Sequence, residues 1–205
     1  MTARRIAVVS GGLGQPSGSR LLADRLAGAT RDHLLERGVD AAVDVVELRE
    51  LARDLADHLV TGFPSPALAA ALRTVADADG LIAVSPVFSA SYSGLFKTFF
   101  DVLDRDALTD LPTLVAATGG SARHSLVTEH ALRPLLTYLK AVVVPTAVFA
   151  ATDDFGADDA DVALGSRIER AARQLAELVS AGSRTVPDDP FDAPVDFERL
   201  LGRLG

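Results

Sequence analysis

Two loops rich in hydroxyls and glycine each follow a short apolar run. They are Ser10-Gly11-Gly12-Leu13-Gly14-Gln15-Pro16-Ser17-Gly18-Ser19 and Ser85-Pro86-Val87-Phe88-Ser89-Ala90-Ser91-Tyr92-Ser93-Gly94. The chemistry open to such loops is binding rather than proton transfer. Hydroxyls and free backbone amides at a helix N-terminus hold an anion. A proline-stiffened loop with an apolar face suits a planar ring. A third loop, Thr118-Gly119-Gly120-Ser121, lets backbone come close to a flat ligand, because glycine removes side-chain bulk. Together the three point to a phosphorylated, ring-bearing cofactor.

Within the first loop Ser17 and Ser19 are candidate phosphate ligands, and Arg20 is a candidate counter-charge. The same serines would serve equally as caps of a Gly/Ser connector. Two familiar phosphate motifs fail. A Walker loop needs Gly-Lys-Ser/Thr, and this loop has no lysine; G-x-G-x-x-G would start at Gly12 and Gly14 but ends on Ser17. Hydroxyls suit a terminal monoester phosphate better than a pyrophosphate lying close to backbone. In the second loop Ser91 or Ser93 would also cap a helix, and Gly119-Gly120 would also make a plain turn.

Composition removes other chemistries. The chain has no Cys, which excludes disulfides, iron–sulfur clusters and cysteine nucleophiles. Its four histidines (His33, His58, His124, His130) show no zinc-ligand spacing. Redox function would therefore need a bound organic cofactor. A net charge of −8 and only two lysines, Lys97 and Lys140, argue against nucleic acid as a partner. No run reaches membrane-spanning length and no secretory signal is visible, so a cytoplasmic location is expected. No G-x-S-x-G marks a hydrolase, and Ser10 and Ser85 stand where a phospho-receiver domain would need acidic residues.

The elements that must hold these loops alternate in type. Strands are expected at 6–9, 43–48, 80–84, 112–117 and 142–149, with Pro145 marking an edge or a bulge in the last. Helices are expected at 19–37, 49–59, 67–78, 94–103, 127–140 and 158–181. Pro134 would kink the fifth, and Leu21, Leu22, Leu26, Ala29, Leu34 and Leu35 form the core stripe of the first. Five strands alternating with helices make an α/β, doubly wound parallel sheet of order 2-1-3-4-5. Its ligand crevice lies between strands one and three. Residues 1–182 read as one domain. The tail, 183–205, carries Phe191, Phe197, Leu200, Leu201 and Leu204, and would either cap its own subunit or contact another. The apolar stretch from Tyr92 to Phe100 is a second candidate contact, or else ordinary core.

On these residues the chain resembles the NADPH-dependent FMN reductases of the flavodoxin-like fold, in their actinobacterial branch. The segments that carry the resemblance are Ser17-Gly18-Ser19-Arg20-Leu21-Leu22-Ala23, Pro86 through Lys97, Ala117-Thr118-Gly119-Gly120-Ser121-Ala122-Arg123-His124-Ser125-Leu126, and Arg133-Pro134-Leu135 through Val144-Pro145. They lie within residues 4–180. The resemblance implies FMN as cofactor, with Ser10, Ser17 and Ser19 on its phosphate beside the backbone from Gly18 to Leu21. It implies Pro86, Val87, Phe88 and Ser89 along the isoalloxazine, and Thr118, Gly119, Gly120 and Ser121 at the ring's polar edge. Tyr92 and Ser93 belong to the same implied site, or to a subunit contact. Relatives often carry an arginine between the positions of Leu13 and Pro16; this chain does not, which leaves Arg20 as the candidate charge partner.

The implied activity is reduction of FMN, or of a small acceptor through bound FMN, by hydride transfer from NAD(P)H to flavin N5. No side-chain acid or base is needed for it. A flavin or quinone would be the small-molecule acceptor, and a flavin-dependent monooxygenase a possible protein partner. Arg123 and His124 could hold the dinucleotide's phosphates, or form a solvated turn with a subunit salt bridge. Lys97 reads as structural, while Asp153 and Asp154 would border the site. Two-fold pairing is the commonest assembly, so a homodimer or homotetramer is expected. The rival readings are a non-catalytic flavodoxin-like electron carrier, a flavin-binding redox sensor and an NAD(P)H:quinone-type reductase.

Overall fold

The computed structural model describes residues 3–156 and 158–182. The tail at 183–205, expected to cap the subunit or contact another, lies outside the described residues.

The strands are β1 (Arg4–Ser10), β2 (Ala41–Glu47), β3 (Gly80–Phe88), β4 (Ser91–Tyr92), β5 (Pro112–Gly119), β6 (Val142–Val143) and β7 (Val148–Ala151). The helices are α1 (Gly18–Glu36), α2 (Ala52–Thr61), α3 (Pro66–Ala76), α4 (Gly94–Asp101), α5 (Arg133–Tyr138) and α6 (Asp158–Ala181). The main sheet is parallel and runs β2-β1-β3-β5-β6, with β7 also on β5 and β4 paired to β3. The doubly wound class is as the pattern of apolar runs predicts. The strand count is seven rather than five.

Two local causes account for the extra strands. Pro145 has no amide proton for a ladder, and the last strand breaks there into β6, which pairs at Pro112 and Thr113, and β7, which pairs from Ala116 to Gly119. The Arg133 guanidinium fills the break, donating to the carbonyls of Val144 at 2.9 Å and Pro145 at 3.0 Å. The other addition is a hairpin beyond the sheet. β3 runs on to Phe88 and turns back through Ser89 (φ 49) and Ala90 (φ 67), so that Val87 pairs with Tyr92 and Phe88 with Ser91. Two successive left-handed residues make the primed turn whose twist suits a hairpin. Neither is glycine, so the turn is strained by about 1 kcal/mol per residue.

Alternate residues of each strand feed opposite faces. Ile6, Val8, Ile82, Val84, Leu114 and Ala116 pack against α1 and α6. Ala7, Val9, Leu81, Ala83, Val115 and Ala117 pack against the helices of the other face, from α2 to α5. In the stretch from Tyr92 to Phe100, the three phenylalanines belong to the core of the chain. Phe96, Phe99 and Phe100 are fully buried, with ring centroids 4.7 and 5.5 Å apart in successive pairs, each burial being worth about 2 kcal/mol. Ahead of α5 the expected fifth helix widens into a π turn at Thr128–Leu132. Pro134 cannot donate to the carbonyl four residues back, which removes one α-helical bond at that point.

Candidate functional site

Strand register decides which loops meet. Ser10 sits opposite Val84, Pro86 opposite Thr118, and Thr118 opposite Ala150. The chain leaves β1 for β2 on one side and returns to β3 on the other, so the carboxyl ends of β1 and β3 flank the switch point of the sheet. The loops after β1, β3, β5 and β7 open there around a cleft of about 640 Å³.

Loop one enters the cleft through Pro16, Ser17, Gly18 and Leu21. Ser17 is the N-cap of α1, its hydroxyl accepting from the Arg20 amide at 3.2 Å. The first-turn amides of a helix have no intrahelical partner, and the helix dipole makes this end electropositive. Gly12 is what lets the loop fold onto that end, since a Cβ there would lie 2.0 Å from the Ser17 Oγ. Ser19 is buried, and its hydroxyl meets the Thr118 hydroxyl at 2.7 Å, tying loop one to the loop after β5. Ser10, the last residue of β1, is buried, and its Oγ has no hydrogen-bond partner.

The other walls are apolar or backbone. Pro86, Val87 and Phe88 line one side; Thr118, Gly119 and Gly120 line the next; Ala150, Thr152 and Phe155 complete the rim. Phe88, on the strained hairpin, is 47% exposed. Gly119 packs tightly, a Cβ there lying 3.0 Å from the Phe149 ring. None of the lining residues is titratable.

The cleft therefore gathers Ser17, Gly18, Leu21, Pro86, Val87, Phe88, Thr118, Gly119 and Gly120 from the residues expected in the site. Ser10 and Ser19 lie beneath it. Leu21 faces the cleft, 49% exposed, rather than joining the core stripe, and Leu35 is also exposed. Arg20 is turned to other duty: hydrogen bonding to Asp24, reinforced by the charges of Asp24 and Glu47, raises its pKa and holds the guanidinium at the β2 edge. On the outer side of loop one the Gln15 carboxamide, with its oxygen turned to Arg49, accepts from that guanidinium at 2.9 and 3.1 Å.

Ser93 is the buried N-cap of α4, accepting from the Phe96 amide at 3.2 Å while its own amide donates to the Ser85 hydroxyl at 2.9 Å. Tyr92 packs on Phe96 at a centroid distance of 6.0 Å, on the core side of the hairpin. Ser89 is an exposed turn residue, and Ser121 leads into a short 3-10 turn carrying exposed Arg123 and His124. Lys97 pairs with Asp101 one turn along α4. Of the acidic loop, Asp154 caps the Ala151 amide at 2.8 Å and faces Arg167; the residues that reach the cleft are Thr152 and Phe155. Pro16, Ala150, Thr152 and Phe155 were not legible as site residues.

The donor set fits a flavin mononucleotide. The electropositive helix end and hydroxyls suit a dianionic monoester, the buried Ser10 hydroxyl at the end of β1 has no partner of its own, and the apolar walls with open glycine backbone suit a polar-edged ring. Among the described residues no helix is long and apolar enough to cross a membrane, and no cluster of His, Asp and Glu could hold a metal ion.

Comparison with known proteins is consistent with that fit. The model of the NADPH-dependent FMN reductase family matches residues 4–156. The chain is 37% identical over 182 residues to the NADH-dependent FMN reductase SfnE of Pseudomonas putida, covering 88% of this chain and 95% of that one. It is 37% identical over 184 residues to an FMN reductase (NADPH) of Pseudomonas aeruginosa, covering 87% and 94%. Among solved structures, an oxidoreductase from Corynebacterium diphtheriae superposes with a TM-score of 0.86 at 48% identity, over 89% of this chain and all of that one.

Proposed function

Since the chain belongs to the NADPH-dependent FMN reductase family and is an NAD(P)H-dependent oxidoreductase acting on FMN, we propose that the cleft at the carboxyl ends of β1, β3 and β5 is where FMN is held. The observation that carries the assignment is the convergence of three loops, one polar and two planar or apolar, on a single crevice lined by no titratable group.

In this reading Ser17 and Ser19 hydrogen-bond the phosphate together with the amides of Gly18 and the first turn of α1, and Ser10 supports them from below. Pro86, Val87 and Phe88 press on the ring, with Leu21 completing its apolar rim, and Phe155 stands beside Gly18 at the loop-one end. Thr118, Gly119 and Gly120 offer backbone donors to the ring edge, where they would stabilise the negative charge of the reduced ring. When bound, FMN supplies the two-electron chemistry between NAD(P)H and a small acceptor. The chain's own residues orient and exclude water; none need move a proton. Ser89, Tyr92, Ser93, Ser121 and Arg20 act, on this proposal, by shaping loops rather than by touching flavin.

We propose further that residues 1–182 form the catalytic domain and that the tail, 183–205, caps its own subunit or contacts another. A homodimer or homotetramer is part of the same reading, with the exposed Leu59, Val60 and Phe63, at and just beyond the end of α2, as candidate contact residues. Flavin or quinone acceptors, delivery of reduced flavin to a monooxygenase and a cytoplasmic location complete the reading.

Binding of FMN and of riboflavin, which lacks the phosphate, tests it by flavin fluorescence. A Ser17→Ala/Ser19→Ala variant is expected to bind FMN at least about tenfold more weakly, each hydrogen bond to a charged group being worth about 1.5 kcal/mol or more. Riboflavin affinity is expected to hold. Equal losses for both flavins would place the phosphate elsewhere.

A further inference from the structure

The end of the cleft beside loop one is walled by Phe155. Its Cε2 lies 4.0 Å from where a Cβ on Gly18 would stand, and the ring packs partly on the core between α1 and α6. The turn that bears it is fixed at several points. Asp154 accepts from the Ala151 amide at 2.8 Å, and the Phe155 amide donates to the Thr152 carbonyl at 3.2 Å. Arg167, on α6, reaches Asp154 at 3.6 Å and the Phe149 carbonyl at 3.4 Å. In turn α6 is pinned to α1 by Arg25–Asp161, His33–Glu169 and Arg37–Glu177. The ring is thus part of a braced wall, not a loose loop tip.

We propose that Phe155 closes the phosphate end of the flavin site and restricts it to the mononucleotide, turning away flavins whose phosphate carries a further nucleotide. The inference rests on the FMN reading above and adds the residue that sets its specificity. A terminal monoester ends at loop one and needs only hydroxyls and amides. A dinucleotide must carry a second phosphate out past this wall. There it meets an aromatic face with no hydrogen bond to offer, and desolvating a charge against such a face is costly. Arg20 cannot compensate, because its guanidinium is committed to Asp24 and Glu47.

Dissociation constants of the full-length protein for FMN, FAD and riboflavin, read from flavin fluorescence, decide the matter. The wild type is expected to favour FMN over FAD by about tenfold or more, within the range a shaped pocket achieves. Phe155→Ala, and independently Phe155→Ser, are expected to narrow that ratio at least fivefold by a gain in FAD affinity, while Phe155→Leu keeps most of it. An equal affinity of the wild type for FMN and FAD overturns the proposal. So does an unchanged ratio in both small variants, and so does a loss of FAD affinity, which would make the ring a stacking platform. Failure of the wild type to bind FMN at all would overturn the underlying cofactor assignment, an outcome distinct from these.

Discussion

The hydroxyls of Ser19 and Thr118 meet at 2.7 Å across a gap of 99 residues. Ser19 belongs to the first turn of α1 and Thr118 is the next-to-last residue of β5. A hydroxyl has one proton and two lone pairs. When Thr118 donates, the Ser19 proton is free to point onward to an anion. This one bond therefore sets the spacing between the proposed phosphate corner and the proposed ring platform.

Replacing Thr118 with Val keeps the shape and removes the bond. Loss of about 1 kcal/mol is expected, a fall in FMN affinity of about fivefold. Riboflavin affinity and Tm should change little. Isothermal titration with the two flavins and a thermal melt check this; an unchanged FMN constant would show that the bond does not position the cradle.

Gly12→Ala tests the loop fold itself. The new Cβ would lie 2.0 Å from the Ser17 Oγ, so the Ser17 side chain must turn away and surrender its cap of the Arg20 amide. Loss of a cap costs about 1 kcal/mol. Lower Tm and weakened FMN binding should appear together in this variant.

Ser93→Ala should separate the two. The Ser93 hydroxyl is buried, is spent on the Phe96 amide at the head of α4, and does not line the cleft. Stability is expected to fall by about 1–2 kcal/mol, with FMN affinity unchanged within about twofold. A denaturant titration and a flavin titration on the same sample read both quantities. Weakened binding at full stability would return Ser93 to the site.

Acid stability depends on Glu129. A hydrogen bond from Arg133, aided by the charges of Arg133 and His130, holds its carboxyl pKa below the ordinary 4.5. A depressed folded pKa stabilises above the unfolded value and loses that contribution as pH falls through the folded one. Glu129 is half-exposed at the side chain, so the contribution is small, below about 1 kcal/mol. Glu129→Gln is expected to be slightly less stable than wild type at neutral pH, and the difference should vanish below the carboxylate range. A gap between the two that persists at low pH would mean the Glu129–Arg133 pair acts through packing rather than charge.

Much of the architecture is written locally. Apolar runs such as Ile6–Val9 followed by Ser-Gly loops and periodic helices determine alternating strand and helix. Ser17, Ser65 and Ser93 cap their helices through bonds spanning three residues, and Pro145 and Pro134 act on the backbone where they stand. These are short-range effects, so the amino-acid order alone specifies them, along with the placement of three binding loops at strand ends. What the order could not specify is which side chain each loop presents to the crevice. Leu21 turns outward, Arg20 reaches Glu47, and Phe155 arrives from the far end of the sheet to stand beside Gly18. Each of these is fixed by register and by the packing of α1 and α6 on one face, interactions between residues remote in sequence that have no local signature.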